Sequence, residues 1–191
     1  MQGEMARGER SRLEIWYGKG LQSAPQSVQI RWFYINAMEP RWFGSEGEVA
    51  QVVQDAKRTL KDSARANLLA GRIFTTQGDQ RFRRREYGAA LDFYLKAKSL
   101  AGPHWFYDRK VGEALYRLNR FSEAVDAFRS VIAVRPHYAR GYLWLGYSYH
   151  GLGKSIEARD AFQMVIELEP AHSEAHRALK YQNPKPSSGG N

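Results

Sequence analysis

The sequence predicts an all-α protein built from stacked pairs of amphipathic helices. Three segments, which begin at Gly71, Trp105 and Ala139, align without a gap, so that equivalent positions lie 34 residues apart. Within each segment, apolar residues recur three and four positions apart, which is typical of an amphipathic helix. Because one helix pair cannot bury its apolar face alone, we expect successive pairs to stack on one another.

Five columns of residues recur in phase along these segments. Small residues in two of the columns allow paired helices to approach closely, and a third column supplies an aromatic ring. A proline ends the second and third segments. Since proline cannot continue a helix interior, it marks the break before the next helix pair. The columns are Gly78, Gly112 and Gly146; Ala90, Ala124 and Ala158; Tyr94, Phe128 and Phe162; Ala97, Val131 and Val165; and Pro136 with Pro170.

This pattern resembles the tetratricopeptide repeat family, whose repeat is about 34 residues long. The third segment matches the family pattern best. The first departs most, with Gln77 where Leu is usual and Gly102 where Pro is usual. The resemblance implies a right-handed α-solenoid of helix-turn-helix repeats with a C-terminal capping helix, and a role in binding other proteins.

The boundaries follow from the repeat register. We expect three repeats at 71–104, 105–138 and 139–170, followed by a capping helix at 173–181. Ser173 is the expected N-cap of that helix, and Ala175 and Leu179 are expected to cover the last repeat. Residues 182–191 are rich in Gly, Pro and Ser, which predicts a disordered tail.

Upstream of Gly71 the pattern is weaker. Residues 27–70 are interpreted as a helical extension in which a degenerate half-repeat ending at Pro40 precedes a further helix. Ser45 is a plausible cap for that helix, and Asp62 or Ser63 for the next one, which could run into the first repeat without interruption. Residues 1–26 form an N-terminal extension of uncertain structure, where RLEIWYG alternates apolar and polar residues. That alternation suggests a short strand or a segment packed on the solenoid edge.

A short block at residues 38–45, MEPRWFGS, resembles part of a bacterial domain of unknown function that precedes repeats of this kind. Phe43 stands where that block has Gly. The resemblance covers fewer than ten residues and implies a bacterial origin.

Composition limits the function classes. The chain has no cysteine, which excludes a disulfide scaffold, a thiolate zinc site and a cysteine nucleophile. No apolar run approaches the ~20 residues of a membrane span, and no apolar region of a secretory signal follows the first residues, so we expect a cytoplasmic protein. The net charge of +9 favours acidic partners.

Three motifs contain residue types that also occur in chemical sites. GLGKS at 151–155 resembles the end of a phosphate-binding loop, but Ser148 stands where Gly is needed, and a helix precedes it. His172 and His176 share a helix face without an evident third metal ligand. The basic run at 81–86, RFRRRE, fits either a helix C-terminus, which we favour, or an anion contact. We therefore expect no enzyme, no metal and no cofactor.

The family resemblance implies a concave groove lined by five positions on the first helix of each repeat. Some of the aromatic residues at these positions, Phe106 above all and also Tyr147, could instead belong to the core. The Asn positions with which co-chaperone members of the family clamp a C-terminal carboxylate are absent. By register the groove positions are Arg72, Thr75, Asp79, Phe82 and Arg83; Phe106, Arg109, Glu113, Tyr116 and Arg117; and Arg140, Leu143, Tyr147, His150 and Gly151.

We therefore expect an adaptor or assembly protein that binds an acidic or aromatic-bearing protein segment in a basic groove. The residues expected to make this contact are Arg72, Phe82, Arg83, Arg109, Tyr116, Arg117, Arg140, Tyr147 and His150. Two alternatives stay open. One is a nucleic-acid-binding helical repeat. The other is a subunit of a larger complex that docks through its N-terminal extension, where Trp32, Phe33, Trp42 and Phe43 would be exposed.

Overall fold

The structure, a computed structural model, describes residues 2–38 and 46–182 of the chain. Over these residues it is entirely helical and contains no strand, which confirms the predicted all-α class. The ten helices of the described residues are α1 (Gln2–Ser23), α2 (Val28–Ala37), α3 (Glu46–Thr59), α4 (Ser63–Arg83), α5 (Tyr87–Ala101), α6 (Trp105–Arg117), α7 (Phe121–Val134), α8 (Ala139–Gly151), α9 (Ser155–Leu168) and α10 (Ser173–Gln182).

Several sequence predictions fall outside the described residues. These are Pro40 at the end of the half-repeat, the suggested cap Ser45, the aromatic residues Trp42 and Phe43, and most of the block at 38–45. Gln182 ends α10, and the rest of the predicted tail also lies outside. Among the described residues, no helix is both long and apolar enough to cross a membrane.

The helices form two compact units. The N-terminal unit comprises the residues up to Arg85 together with Asp92–His104, and the C-terminal unit comprises Glu86–Leu91 together with the residues from Trp105 onward. Helix α5 contributes to both units, because its first turn belongs to the C-terminal unit and the remainder to the N-terminal one.

The core of the N-terminal unit is formed where α2 packs against α1, α3 and α4. Ile35 of α2, Val53 of α3 and Leu69 of α4 are almost completely buried there. Asp62 caps α4, since its carboxylate accepts the backbone N–H of Ala64 at 2.9 Å. This cap and the uninterrupted course of α4 into the first repeat confirm the sequence prediction.

The segment RLEIWYG lies within α1 and is not a strand. The strand alternative is therefore wrong, whereas the alternative of a packed segment agrees with Leu13 and Tyr17, which lie four residues apart on one helix face. Both pack against the core of the N-terminal unit. Ile15 and Trp16 on the other side are 57% and 46% exposed. The four-residue spacing of Leu13 and Tyr17 places both on the buried face of a helix, so the segment is helical although its sequence alternates.

Arg31 of α2 holds two parts of the N-terminal unit together through a buried guanidinium that is only 1% exposed. Its Nη2 donates to Asp55 Oδ2 at 3.0 Å and to Thr59 Oγ1 at 2.8 Å, both on α3. Its Nη1 donates to the backbone oxygens of Pro25 at 2.8 Å and Ser27 at 3.1 Å. These bonds tie α3 to the chain that enters α2.

In the C-terminal unit, α6 packs against α7, α8 against α7 and α9, and α9 against α10. The predicted columns meet inside these pairs. A Cβ placed on Gly112 would lie 2.8 Å from the ring of Phe128, and a Cβ on Gly146 would lie 2.6 Å from the ring of Phe162. Glycine is therefore needed where the two helices of each pair approach most closely.

The turns that join the paired helices also repeat. Arg85, Asn119 and Gly153 stand 34 residues apart and adopt the left-handed conformation, with φ of 63°, 59° and 73°. Each backbone N–H donates to the carbonyl three residues earlier, at 2.9 to 3.0 Å. Only Gly153 adopts this conformation without a Cβ penalty.

The N-cap predicted for the last helix is corrected. Helix α10 begins at Ser173, so the cap position falls on His172. The imidazole Nδ1 of His172 accepts the backbone N–H of Ala175 at 3.3 Å, as a serine hydroxyl does in many caps. Ala175 is completely buried, as expected for a residue that covers the last repeat.

Candidate functional site

Arg72, which the register placed in the groove, is buried in the N-terminal unit with an exposed fraction of 1%. Its guanidinium lies 5.3 Å from the ring centroid of Trp32, and Nη1 donates to Thr75 Oγ1 at 3.2 Å. Helix α2 packs on α4 here. It covers the face of α4 that would be exposed if no helix preceded the first repeat. Arg72 is therefore not accessible to a partner, and we leave it out of the candidate site.

The two other predicted residues of this unit lie near the end of α4. Phe82 is half-buried, with its ring centroid 6.5 Å from that of Tyr94. Arg83 is exposed in the last turn. Asp79 accepts the hydroxyl of Tyr94 at 2.5 Å, so its carboxylate serves the contact between α4 and α5.

The C-terminal unit contains two adjoining cavities, which share the side chains of Tyr147 and Glu174. The first, here called the cationic pocket, has a volume of about 610 Å³. The second, here called the apolar pocket, has a volume of about 470 Å³. The cationic pocket is lined by Arg117, His137, Tyr138, Ala139, Arg140, Leu143, Trp144, Tyr147, Glu169, His172 and Glu174. The apolar pocket is lined by Tyr147, His150, Phe162, Glu174, Arg177, Ala178 and Tyr181.

Arg117 and Arg140 give the cationic pocket its charge. Both are exposed, and no carboxylate of the described residues lies within ion-pair distance of either guanidinium. Arg117 lies 5.8 Å from the ring centroid of Trp144, which stacks in turn on Phe128 at 6.1 Å. The indole therefore forms an apolar base beneath a cation that is open to solvent.

The acids of the cationic pocket have partners within the chain. Glu174 Oε1 accepts the hydroxyl of Tyr147 at 2.8 Å. Glu169 lies 4.0 Å from Nε2 of His172, the residue that caps α10. Neither contact neutralises a carboxylate; what distinguishes Arg117 and Arg140 is that neither guanidinium is paired with Glu169 or Glu174.

Tyr147 separates the two pockets. Its ring lies 5.2 Å from that of Phe162 and 6.2 Å from those of Tyr116 and Trp144. Burial raises the pKa of its hydroxyl, and the hydrogen bond to Glu174 raises it further. The hydroxyl therefore stays protonated at neutral pH and donates, which links α8 to α10.

Of the other predicted residues in this unit, Arg109 has a structural partner. Its Nη1 donates to Glu113 Oε1 at 2.5 Å, and the two side chains are 14% and 13% exposed. Phe106 is buried, as the core alternative proposed. Tyr116 packs against Trp144 at 5.2 Å and supports the cationic pocket from below. His150 is exposed and lines the apolar pocket.

Sequence reasoning missed the residues of α10 that line these pockets. It regarded α10 only as a cover and did not extend the groove register into it. Counting 34 residues onward from Arg140, Leu143 and Tyr147 leads to Glu174, Arg177 and Tyr181. The same period that defined the repeats was therefore the signal that could have found them.

The histidines and the GLGKS stretch, which resemble parts of metal and nucleotide sites, lie at helix ends and turns. His172 caps α10, and Nε2 of His176 lies 2.8 Å from the carbonyl oxygen of Pro170. The GLGKS stretch includes the turn between α8 and α9. Within the part of the chain that the structure describes, no cluster of three or more His, Cys, Asp or Glu side chains could hold a metal ion.

A fold of paired helices with a trough along successive first helices defines a helical-repeat protein. The sequence model of the tetratricopeptide repeat family matches residues 111–175. Residues 111–175 therefore match tetratricopeptide repeats, which confirms the resemblance found in the sequence. A comparison with curated proteins finds no match.

Solved structures of tetratricopeptide repeat proteins have the same fold. The first such domain of Spaghetti (RPAP3), bound to the HSP90 peptide SRMEEVD, is 26% identical and has a TM-score of 0.57; the match covers 63% of this chain and 92% of that one. The second such domain of human RPAP3, in complex with the HSP70 peptide SGPTIEEVD, is 22% identical with a TM-score of 0.55, over 59% and 93%. YrrB, described as having an unusual peptide-binding site, is 19% identical with a TM-score of 0.58, over 91% and 86%.

Proposed function

We propose that the chain is a protein-interaction adaptor whose C-terminal unit binds an acidic segment of a partner protein in the cationic pocket. The observation that carries this proposal is the pair Arg117 and Arg140. Both line one cavity, both are exposed, and neither guanidinium is paired with Glu169 or Glu174, the two carboxylates of that lining. A guanidinium binds a carboxylate through two parallel hydrogen bonds, so two of them on one trough favour an acidic ligand.

The aromatic surface adds contact area at a low cost in side-chain entropy. Trp144 forms the base under Arg117, and Tyr147 forms the wall that continues into the apolar pocket. Aromatic and arginine side chains are the types most often found at the energetic centre of protein interfaces. The proposed contact residues are Arg117, Arg140, Tyr147 and His150, with Tyr116 in support.

The similar structures support an acidic peptide as ligand. The RPAP3 domains are bound to the peptides SRMEEVD and SGPTIEEVD, each of which carries consecutive glutamates. The Asn positions used by co-chaperone repeats are absent from this chain, so we propose recognition of acidic side chains by arginine rather than that fixed clamp. Tetratricopeptide repeats generally act as scaffolds rather than catalysts, and the proposal involves no catalytic step.

Affinity capture with charge-reversal variants tests this function. The test variant carries Arg117→Glu and Arg140→Glu. The matched control carries Lys154→Glu and Arg159→Glu, which change the net charge equally at exposed positions in the turn before α9 and on α9. Circular dichroism first establishes that all forms are equally helical. We expect proteins captured by wild type and control to be lost from the test variant.

Nuclease treatment distinguishes this function from nucleic-acid binding. A nucleic-acid ligand would be removed by nuclease, would dissociate steeply with added salt, and would be weakened by either pair of reversals. A partner retained equally by the wild type and both variants would contradict the proposed pocket. In that case the N-terminal unit would become the next candidate, including exposed Phe33 and Trp16.

A further inference from the structure

We infer that the apolar pocket is a second subsite, which takes an aromatic side chain from the same acidic segment. This inference rests on the proposed function. Its walls are Tyr147 of α8, Phe162 of α9, and Ala178 and Tyr181 of α10. It adjoins the cationic pocket at Tyr147, so an extended segment that meets Arg140 can continue directly into it.

The shape of the pocket suits a flat ring. Tyr147 and Phe162 meet nearly edge to face, with an angle of 69° between the ring planes. Ala178 adds only a methyl group to the lining, while Tyr181 is 85% exposed and open to contact from solvent. Aromatic rings prefer offset or edge-to-face contacts with centroids about 4.5 to 7 Å apart, and the rings of Tyr147 and Tyr181 offer such contacts to a ligand above buried Phe162.

The charges around the pocket favour an aromatic side chain over a basic one. Arg177 lines the pocket, and no carboxylate of the described residues lies within ion-pair distance of it. A guanidinium is attracted to the face of an aromatic ring and repels a lysine or arginine. The single acid in the lining, Glu174, accepts the hydroxyl of Tyr147, so one of its carboxylate oxygens is already engaged within the chain.

The geometry of α8 sets the spacing of the two side chains in the ligand. Arg140 and Tyr147 are seven residues apart on this helix. At about 1.5 Å per residue the distance between them along the axis is roughly 10 Å. An extended peptide advances about 3.3 Å per residue, so the acidic and aromatic residues of the ligand should stand about two to four residues apart.

Selection from a random twelve-residue peptide library on the full chain tests the inference. We expect wild type to enrich peptides with an acidic residue and an aromatic residue two to four positions away. In the most enriched peptide, replacing the aromatic residue by Ala should raise the Kd roughly five- to thirty-fold, as for other interface anchors.

Variants locate the subsite. Ala178→Phe fills the pocket, and Ala133→Phe places the same bulk on exposed α7 as its control. Tyr181→Ala removes one wall, and Ile156→Ala is its exposed control, at 72% exposure. We expect Ala178→Phe and Tyr181→Ala to lose the aromatic preference and keep the acidic one. Both controls should keep both preferences.

Each other outcome has a definite meaning. Acidic enrichment in the wild type without an aromatic preference overturns the subsite and leaves the proposed function intact. An aromatic preference that survives both Ala178→Phe and Tyr181→Ala overturns its location. The absence of any acidic enrichment in the wild type contradicts the proposed function, and with it this inference.

Discussion

Gly146 of α8 lies against the ring of Phe162 of α9 so closely that a Cβ on the glycine would be 2.6 Å from Cε1 of the ring. Sixteen positions separate the two residues, and the same separation joins Gly112 to Phe128 and Gly78 to Tyr94. The contact therefore sets the distance between the helices of each repeat. It also fixes how α8 presents Tyr147, which follows Gly146 directly, to the two pockets.

We expect Gly146→Ala to lower the free energy of unfolding by about 1 to 3 kcal/mol, because Phe162 is buried and its ring has little room to move. Gly18→Ala is the control, since nothing lies within 4 Å of the Cβ it would add in the middle of α1. It should stabilise by roughly 0.5 to 1 kcal/mol through helix propensity. Urea denaturation, followed by circular dichroism, measures the free energy of unfolding of both variants. If Gly146→Ala and Gly18→Ala changed it equally, the close contact between Gly146 and Phe162 would be contradicted.

The repeated left-handed turn predicts two opposite effects at equivalent positions. Arg85→Gly should stabilise by about 0.5 to 1 kcal/mol, because glycine adopts a positive φ without the penalty that a Cβ imposes. Gly153→Ala should destabilise by about 1 kcal/mol for the same reason, although the space around it is open.

Asn119→Gly serves as the control for the turn, since asparagine tolerates this conformation and little change is expected. Thermal unfolding of the three variants checks the series. A loss of stability in Arg85→Gly would show that the arginine side chain contributes more than its backbone conformation costs.

Arg31 should be sensitive even to a substitution that keeps its charge. Lysine cannot reproduce the bonds that the planar guanidinium makes to Asp55, Thr59 and two backbone carbonyls. We expect Arg31→Lys to lower the free energy of unfolding by about 2 to 3 kcal/mol. Arg12→Lys, at an exposed position of α1, is the control. Urea titration measures the stability of both variants. If both matched wild type, the hydrogen bonds of the Arg31 guanidinium would not contribute to stability.

Stability should fall at alkaline pH because of Tyr17. Its ring stacks on Tyr34 at 3.9 Å, and burial raises the pKa of its hydroxyl to about 12. An unfolded tyrosine ionises near pH 10, so between about pH 10 and pH 12 the unfolded chain loses this proton before the folded one does. The contribution is fully present below about pH 10 and is lost as the pH rises through 12.

Denaturation at a series of pH values, with Tyr17→Phe as the comparison, isolates this contribution from the other tyrosines. The difference in unfolding free energy between wild type and variant should be constant below pH 10 and should shift against the wild type above it. A difference that stays constant up to pH 12 would mean that Tyr17 titrates normally in the folded protein.

The 34-residue period of the sequence predicts most of the helices and their pairing. Residues 34 apart predicted the paired helices, because packing a small residue against an aromatic ring is a local requirement that each repeat must satisfy. The period could not reveal that α2 covers Arg72, since this depends on how a degenerate half-repeat packs on α4. A register position states which way a side chain points from its helix. It does not state what lies opposite.

The same limit applies to the candidate site. The register placed Arg117, Arg140 and Tyr147 on one trough, and the structure shows them lining one cavity. It also placed Arg109 there, where the acid one helical turn further on pairs with the guanidinium. The apolar pocket was missed because α10 was assigned to covering the core, although its exposed face continues the groove positions.

Backbone amide exchange of the full chain, measured with and without a peptide selected from the library, tests the proposed binding site. We predict that protection on binding is confined to the C-terminal unit, in α6, α8 and α10, and that Arg117→Glu with Arg140→Glu abolishes it. Protection of α7 and α9 alone, or of helices α1 to α4, would show that the trough that carries Arg117 and Arg140 is not the binding site.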